Sequence, residues 1–256
     1  MSGIMPLCLN TRPAHQSQSL SSSLLQQGFR VVEFPTIEIT ASANNDQLEQ
    51  LSSHIADYDI ALFVSRNAVD YAFRFFSLTE LPAHLQLGVI GKGTWQALSE
   101  KGIQSRIIPA TSFDSEGLLA AEYLQQVDGK KIIIFRGQAG RNLLGDTLRE
   151  RGARVDYCEV YRRVIPAYPE DLFTERLGGQ FPDVAIFTSA EGLQNCFQML
   201  QEQELQQLKQ ITWLLISERM RETAHNLGHN GSIIIASNAS DDGILQALQV
   251  WHNTRL

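Results

Sequence analysis

Hydrophobic residues in this chain fall into short runs separated by longer stretches with apolar positions at helical spacing. β-rich runs occur at Pro6–Leu9, Val31–Ile39, Ile60–Val64, Gln86–Ile90 and Arg106–Ile108. They recur at Lys131–Phe135, Val155–Val164, Val184–Thr188, Thr212–Ile216 and Ser232–Ala236. Between them, Leu20, Leu24 and Leu25, and later Leu118, Ala121, Tyr123 and Leu124, repeat as on a helix. The Ser and Gln tracts at Ser17–Gln27 and Gln201–Gln210 also carry periodic leucines, which predicts helices with polar faces. Gly28, Gly102, Gly152 and Gly228 stand just before a strand, where a helix ends in the left-handed conformation. Strict strand–helix alternation predicts an α/β fold: parallel sheets with helices on both faces.

Laid against itself, the chain is an internal repeat. A shift of 124 carries Arg12 onto Arg136, Gly28 onto Gly152, Phe63 onto Phe187 and Ser65 onto Ser189. Beyond residue 85 the shift becomes 126, and Gly102 meets Gly228, Ile107 meets Ile233 and Gly117 meets Gly243. Ordered matches with one two-residue slip point to duplication. Two extended segments, Arg30–Thr40 and Arg154–Ile165, sit at equivalent places and run to about twice the usual five or six residues of a strand. Such segments suit connections between two domains. Glu33, Pro35, Glu38, Glu159, Arg162 and Arg163 suggest that they form a solvated ribbon.

Composition narrows the function. The 256 residues fit one large domain or two small ones, and 43% are hydrophobic and 19% charged, as in ordinary globular proteins. A net charge of −7 argues against non-specific nucleic-acid binding, which needs clustered cations. No apolar run approaches the roughly 18 residues of a membrane span, and Met1–Asn10 lacks a secretory pattern. Cys8, Cys158 and Cys196 are far apart, as expected of buried reduced thiols in a cytoplasmic protein.

Ligands of open parallel sheets bind beyond the carboxyl ends of the strands. The residues there are Thr11-Arg12-Pro13, Ser65-Arg66-Asn67-Ala68, Gly91-Lys92-Gly93-Thr94, Arg136-Gly137, Ser189-Ala190-Glu191-Gly192 and Ser217-Glu218-Arg219-Met220. Small or hydroxyl residues at helix starts beside Arg or Lys make anion sites, although a lone Ser there needs no role beyond N-capping. Repetition in both halves points to an extended, multiply charged anion. Gly91-Lys92-Gly93 has Gln96 where a dinucleotide fingerprint needs its third glycine, and no P-loop is present. His225 and His229 have zinc-pair spacing but no zincin pattern follows, so surface histidines and no metal are expected. Tyr161, before two arginines on the proposed ribbon, is either a packed aromatic or a proton donor beside an anionic ligand.

These residues, with Phe63-Val64-Ser65-Arg66-Asn67-Ala68-Val69, Val89–Thr94, Arg151-Gly152-Ala153, Val160-Tyr161-Arg162-Arg163 and Phe187–Leu193, resemble the uroporphyrinogen-III synthase family, in particular its enterobacterial-type members. The resemblance covers nearly the whole chain. It implies two flavodoxin-like α/β domains, about 1–35 plus 167–256 and about 40–160, joined by a two-stranded β ladder at about 30–40 and 154–165. Each domain takes one βα unit from one repeat and four from the other. The implied activity is that of a lyase without cofactor. It cyclises linear hydroxymethylbilane, with inversion of ring D and loss of water, to uroporphyrinogen III in porphyrin and heme biosynthesis. Tyr161 matches the tyrosine proposed to assist departure of the hydroxyl. Substrate carboxylates are assigned to Ser65, Asn67, Ala68, Thr94, Ser189 and Ser217, largely through backbone N–H, with Gly137, Ala190, Glu191 and Gly192 alongside. Arg12, Arg136 and Arg219 are added as anion contacts. Ser217–Met220 departs from the Gly and Thr residues of many members, which leaves a hydroxyl role there open. A cytoplasmic monomer is expected, touching transiently the enzyme that makes hydroxymethylbilane. The contrasting readings are a non-catalytic two-domain protein that binds a polyanionic small molecule, and a nucleotide-dependent α/β enzyme.

Overall fold

The computed structural model describes residues 5–43, 54–75 and 81–254. The chain divides into two compact units: Met1–Glu38 with Val164–Leu256, and Ile39–Arg163. Each unit is built on one five-stranded sheet.

The first sheet uses β1 (Leu7–Asn10), β2 (Arg30–Glu33), β8 (Val184–Ile186), β9 (Thr212–Leu215) and β10 (Ile233–Ile235), in the order β10-β9-β8-β1-β2. Every neighbouring pair in it is parallel. The second uses β3 (Glu38–Ala41), β4 (Ile60–Phe63), β5 (Gln86–Val89), β6 (Lys131–Gly137) and β7 (Arg154–Val164), in the order β3-β7-β6-β4-β5. The repeats exchange strands. The pair β1–β2 of the first repeat joins β8–β10 of the second, and β6–β7 joins β4–β5. Each sheet therefore takes two strands from one repeat, with the rest from the other, and not the expected one-and-four division. Where the partner of β10 is expected, Ile107 makes only an isolated bridge to Gly88.

Parallel strands covered on both faces need apolar residues at successive positions, and the central strands have them. Along β6, Ile133 and Phe135 enter one core with Phe63 of β4, while Ile132 and Ile134 enter the opposite core with Leu62. In the first unit Leu9, Ala185, Phe187, Trp213 and Leu215 face one side, and Cys8, Val184, Ile186 and Leu214 the other. Helices close both faces. Leu20 and Leu24 of Ala14–Gln26 join Ile244 and Leu248 of Asp241–Asn253 over one face of the first sheet. Ala68 and Val69 of Arg66–Ala72 join Ala97 and Leu98 of Lys92–Glu100 over the second. Each fully buried aliphatic side chain stabilises by about 1.5–3 kcal/mol.

Three local expectations change. The run Val31–Ile39 is broken into β2 and β3 because Phe34, Pro35, Thr36 and Ile37 turn inward and are buried. Pro35 is thus a core residue, not part of a solvated ribbon. The helical spacing at Leu118–Leu124 resolves into a short helix, Ser115–Leu119, and a separate 3-10 turn, Glu122–Leu124. The strand before Val164 is long as read, and β3 is its neighbour: Ser42 N–H donates to Val160 O at 3.1 Å. The four helix-ending glycines all have positive φ, between 75° and 87°.

Candidate functional site

The pairing of β6 with β7 carries a local irregularity that creates the site. Residues pair one to one as far as Arg136 with Glu159, but Gly137 then pairs with Tyr161, skipping Val160. A bulge of this kind re-aims the next side chain. Cys158, Val160 and Tyr161 consequently enter the same core cluster, although 160 and 161 are neighbours. The Tyr161 ring packs 6.0 Å from that of Tyr71, and the side chain is buried. Its phenol oxygen lies 3.1 Å from Ser65 Oγ. Ser65 is the N-cap of Arg66–Ala72, and the same Oγ accepts the Ala68 N–H at 3.0 Å. Gly137 leaves room for the ring: a Cβ there would sit 2.6 Å from Tyr161 Cζ. The Gln138 N–H donates to Tyr161 O at 2.9 Å and fixes the backbone beyond the bulge.

These groups line a cavity of about 400 Å³, shared with Arg136, Asp114, Ser115, Glu116 and Tyr157. The Arg136 guanidinium stacks on Tyr157 at 3.8 Å and bonds Glu159 at 3.1 Å and Asn142 Oδ1 at 2.8 Å. Its buried Nε has no hydrogen-bond partner among the described residues. The loop over the cavity holds Ala139 at φ 58°, a left-handed conformation uncommon for a residue with a side chain.

The duplication explains the opening. In the first unit Arg12, equivalent to Arg136, is buried, ion-paired with Asp241 and bonded to Ala239 O. The 126 shift puts Ser115 in place of Asp241, and the 124 shift puts Pro35 in place of Glu159. Each arginine thus pairs with an acid that the other repeat lacks. Where the first unit has a closed ion pair, the second has Ser115 and Arg136 lining a cavity.

The expected site residues fall into two sets. Ser65, Asn67, Ala68, Thr94, Arg136, Gly137 and Tyr161 belong to the second unit, and Arg12, Ser189, Ala190, Glu191, Gly192, Ser217 and Arg219 to the first. The cavity gathers Ser65, Arg136, Gly137 and Tyr161. Asn67 and Thr94 are buried at the starts of their helices. Ser189 and Ser217 are N-caps that accept from Gly192 N–H at 3.0 Å and Met220 N–H at 3.3 Å. Ala190 and Glu191 occupy the first turn of Ala190–Met199. Arg219 is exposed, whereas Arg12 is enclosed by its own acid.

The three cysteines are free and buried. Burial pushes the thiols of Cys8 and Cys158 up to about 12 and also raises that of Cys196, so none supplies a thiolate near neutral pH. His225 is exposed, but His229 is buried against Trp213, ring centroids 3.9 Å apart, and is not the surface residue expected. No cluster of three metal-ligating side chains occurs among the described residues, and no helix there is long and apolar enough to cross a membrane. Sequence reasoning missed Asp114, Glu116 and Tyr157 as cavity residues. Tyr157 stands four positions before Tyr161 on β7, but the bulge between them sends the two rings toward opposite cores, so the spacing alone did not signal a shared cavity. The acids had no signal either, because only the sheet order brings residue 114 beside residue 136.

Two five-stranded α/β units, the first sheet parallel throughout and the second parallel along β7-β6-β4-β5, one with a polar cavity at the carboxyl ends of its strands, place the chain among two-unit α/β proteins with strand-end ligand sites. A family model described as "Uroporphyrinogen-III synthase HemD" matches residues 18–246. The chain is 32% identical over 247 residues to the uroporphyrinogen-III synthase of Escherichia coli (strain K12), covering 94% of this chain and 99% of that one. Against the synthase of Proteus mirabilis identity is 35% over 169 residues, 64% of this chain and 84% of the relative. A solved uroporphyrinogen-III synthetase from Helicobacter pylori 26695 shares the fold with a TM-score of 0.63 at 13% identity, over 96% of this chain and 100% of that one. The chain belongs to the uroporphyrinogen-III synthase family.

Proposed function

We infer that this chain is a lyase that cyclises hydroxymethylbilane to uroporphyrinogen III, with Tyr161 as the proton donor. The observation that carries the assignment of Tyr161 is its phenol, seated in a cavity and held 3.1 Å from Ser65 Oγ beside Arg136. In the first step the C–O bond of the hydroxymethyl group breaks. The phenol proton goes to the departing oxygen, water leaves, and the pyrrole nitrogen's electron pair forms the azafulvene. The substituted carbon of ring D then attacks to give a spiro intermediate. That intermediate fragments and recloses on the other carbon, whose proton returns to the Tyr161 phenolate, and ring D is inverted. Uncatalysed closure tends toward the non-inverted isomer, so holding the chain in the inverting geometry is the main catalytic task.

Carboxylates of the substrate are taken by first-turn N–H groups at Ser65–Ala68 and at Ser189–Gly192, by Thr94 and Ser217, and by Arg219. Arg136 lines the Tyr161 cavity with its guanidinium stacked on Tyr157 and is proposed to meet a carboxylate there, in exchange for its pairing with Glu159. Arg12 acts within the fold, since its charge is already matched by Asp241. The division at Glu38 and Val164 supports the two domains, the first of them discontinuous. The enzyme acts as a cytoplasmic monomer that meets the producer of hydroxymethylbilane transiently; a single species of about 29 kDa in sedimentation velocity is expected. Freshly made hydroxymethylbilane tests the activity. The type III isomer, formed faster than spontaneous closure, is expected; type I at the spontaneous rate overturns the reading and leaves a binding protein.

A further inference from the structure

A second cavity of about 390 Å³ lies in the same unit as Tyr161. Its wall alternates with that of the first. Val89 and Gly91 face the second cavity while Ile90 faces the first, and Phe113 faces the second while Asp114 faces the first. The two cavities are therefore neighbours across the same two segments at the end of the second sheet. Three large apolar side chains line the second cavity and are left half-open to solvent: Trp95, Ile108 and Phe113, 50%, 52% and 56% exposed. None belongs to either core of the unit. Lys92 Nζ stands 5.2 Å from the Phe113 ring centroid and enters no ion pair among the described residues.

An apolar wall of two aromatic rings with one exposed ammonium fits a flat ring that carries an anionic arm. A second copy of the chain fits poorly. A stable interface needs about 1,000 Å² or more, and both copies would carry a charge of −7. A linear four-ring ligand outruns one cavity of 400 Å³, so a chain engaging Tyr161 has further rings to place, and this groove is the apolar surface next to that cavity. We propose that the groove is a pyrrole subsite: one substrate ring lies against Trp95 and Phe113, and one of its carboxylates pairs with Lys92 Nζ. The subsite rests on the activity inferred above and extends it.

The test uses the full chain with Lys92→Gln and Trp95→Ala, both at exposed positions, after matching their melting midpoints to the parent. Initial rates with fresh hydroxymethylbilane should show KM raised about 3- to 10-fold by each, as expected for losing one aromatic contact or one exposed charge pair, and kcat changed less than KM. Binding of uroporphyrin III, followed by its Soret band, should weaken in the same order. Parent turnover to the type III isomer, with KM and Soret binding unchanged in both variants, overturns the subsite and spares the activity. If the parent gives only spontaneous type I product while the variants still weaken Soret binding, the activity falls and the groove stands. Concentration-dependent dimerisation of the parent that Trp95→Ala abolishes would assign the groove to a second copy and also overturn the proposal.

Discussion

One hydroxyl at position 65 serves two neighbours. Ser65 Oγ takes the Ala68 N–H and still meets the Tyr161 phenol, so it joins the cap of a helix to the proton donor. Tyr161→Phe removes the donor and should lower kcat about 100-fold with little change in KM; equal loss in both parameters would remove Tyr161 from the chemistry. Ser65→Ala should lower kcat less and cost about 1 kcal/mol of cap stability. Ser65→Thr keeps the hydroxyl and should restore both, and Ser65→Ala added to Tyr161→Phe should lower kcat no further. His229 offers a separate test by pH. Burial lowers its imidazole from the usual 6.5 to about 4, and its Nδ1 accepts the Gly231 N–H at 3.0 Å, which requires a neutral ring. The unfolded chain takes up a proton below about pH 6.5 that the folded chain refuses until about 4. His229 therefore contributes full stability above that window, and the contribution is lost as pH falls through it. Thermal midpoints of His229→Asn, which keeps an acceptor, should decline less steeply across the same range; parallel curves would assign the acid sensitivity to other groups.

At the scale of elements, the bulge in β7 turns a strand into a site. Gly137→Ala puts a methyl within 2.6 Å of the Tyr161 ring, so either the ring or the backbone must move. A cost of about 1–3 kcal/mol is expected, with kcat falling at least as far as in Tyr161→Phe; unfolding by urea and steady-state rates read the two effects. The strands themselves were legible because runs such as Ile132–Phe135 admit no other reading than burial on both faces. The helix ends were legible because a glycine before a strand has one common use. The bulge was not, since nothing local distinguishes Val160 from any other strand residue; it exists only as a mismatch with Gly137 across the ladder. The break at Phe34–Ile37 was hidden for a related reason. Apolar extended residues look alike whether they pair with a neighbouring strand or turn into the core.

For the whole molecule, the doubling could be read from residue shifts, but the exchange of strands could not. Phe135 meets Phe63 at 4.9 Å in a stacked arrangement, yet Phe187 offers the same residue type at the equivalent place in the other sheet. Hydrophobic pattern alone accepts either pairing. The unequal arginines have an energetic consequence. Arg12→Ala leaves Asp241 partly buried and unpaired, and should cost the first unit about 3 kcal/mol. Arg136→Ala also removes the stack on Tyr157, and its loss should fall on the second unit. Hydrogen exchange resolved along the sequence separates the two; protection lost equally in both units after either change would contradict the assignment.

The exchange of strands also sets an order of assembly during synthesis. The second unit is one uninterrupted stretch, Ile39–Arg163, and all its strands have been translated before β8 begins. β1 and β2 belong to a sheet whose other members, β8, β9 and β10, follow the whole second unit in the sequence. β1 can pair with β2 early, but its other edge, which meets β8, must wait until more than a hundred further residues have been translated. The contiguous second unit can therefore fold before the first sheet is complete, and β1 gains its second neighbour only after that unit has been made.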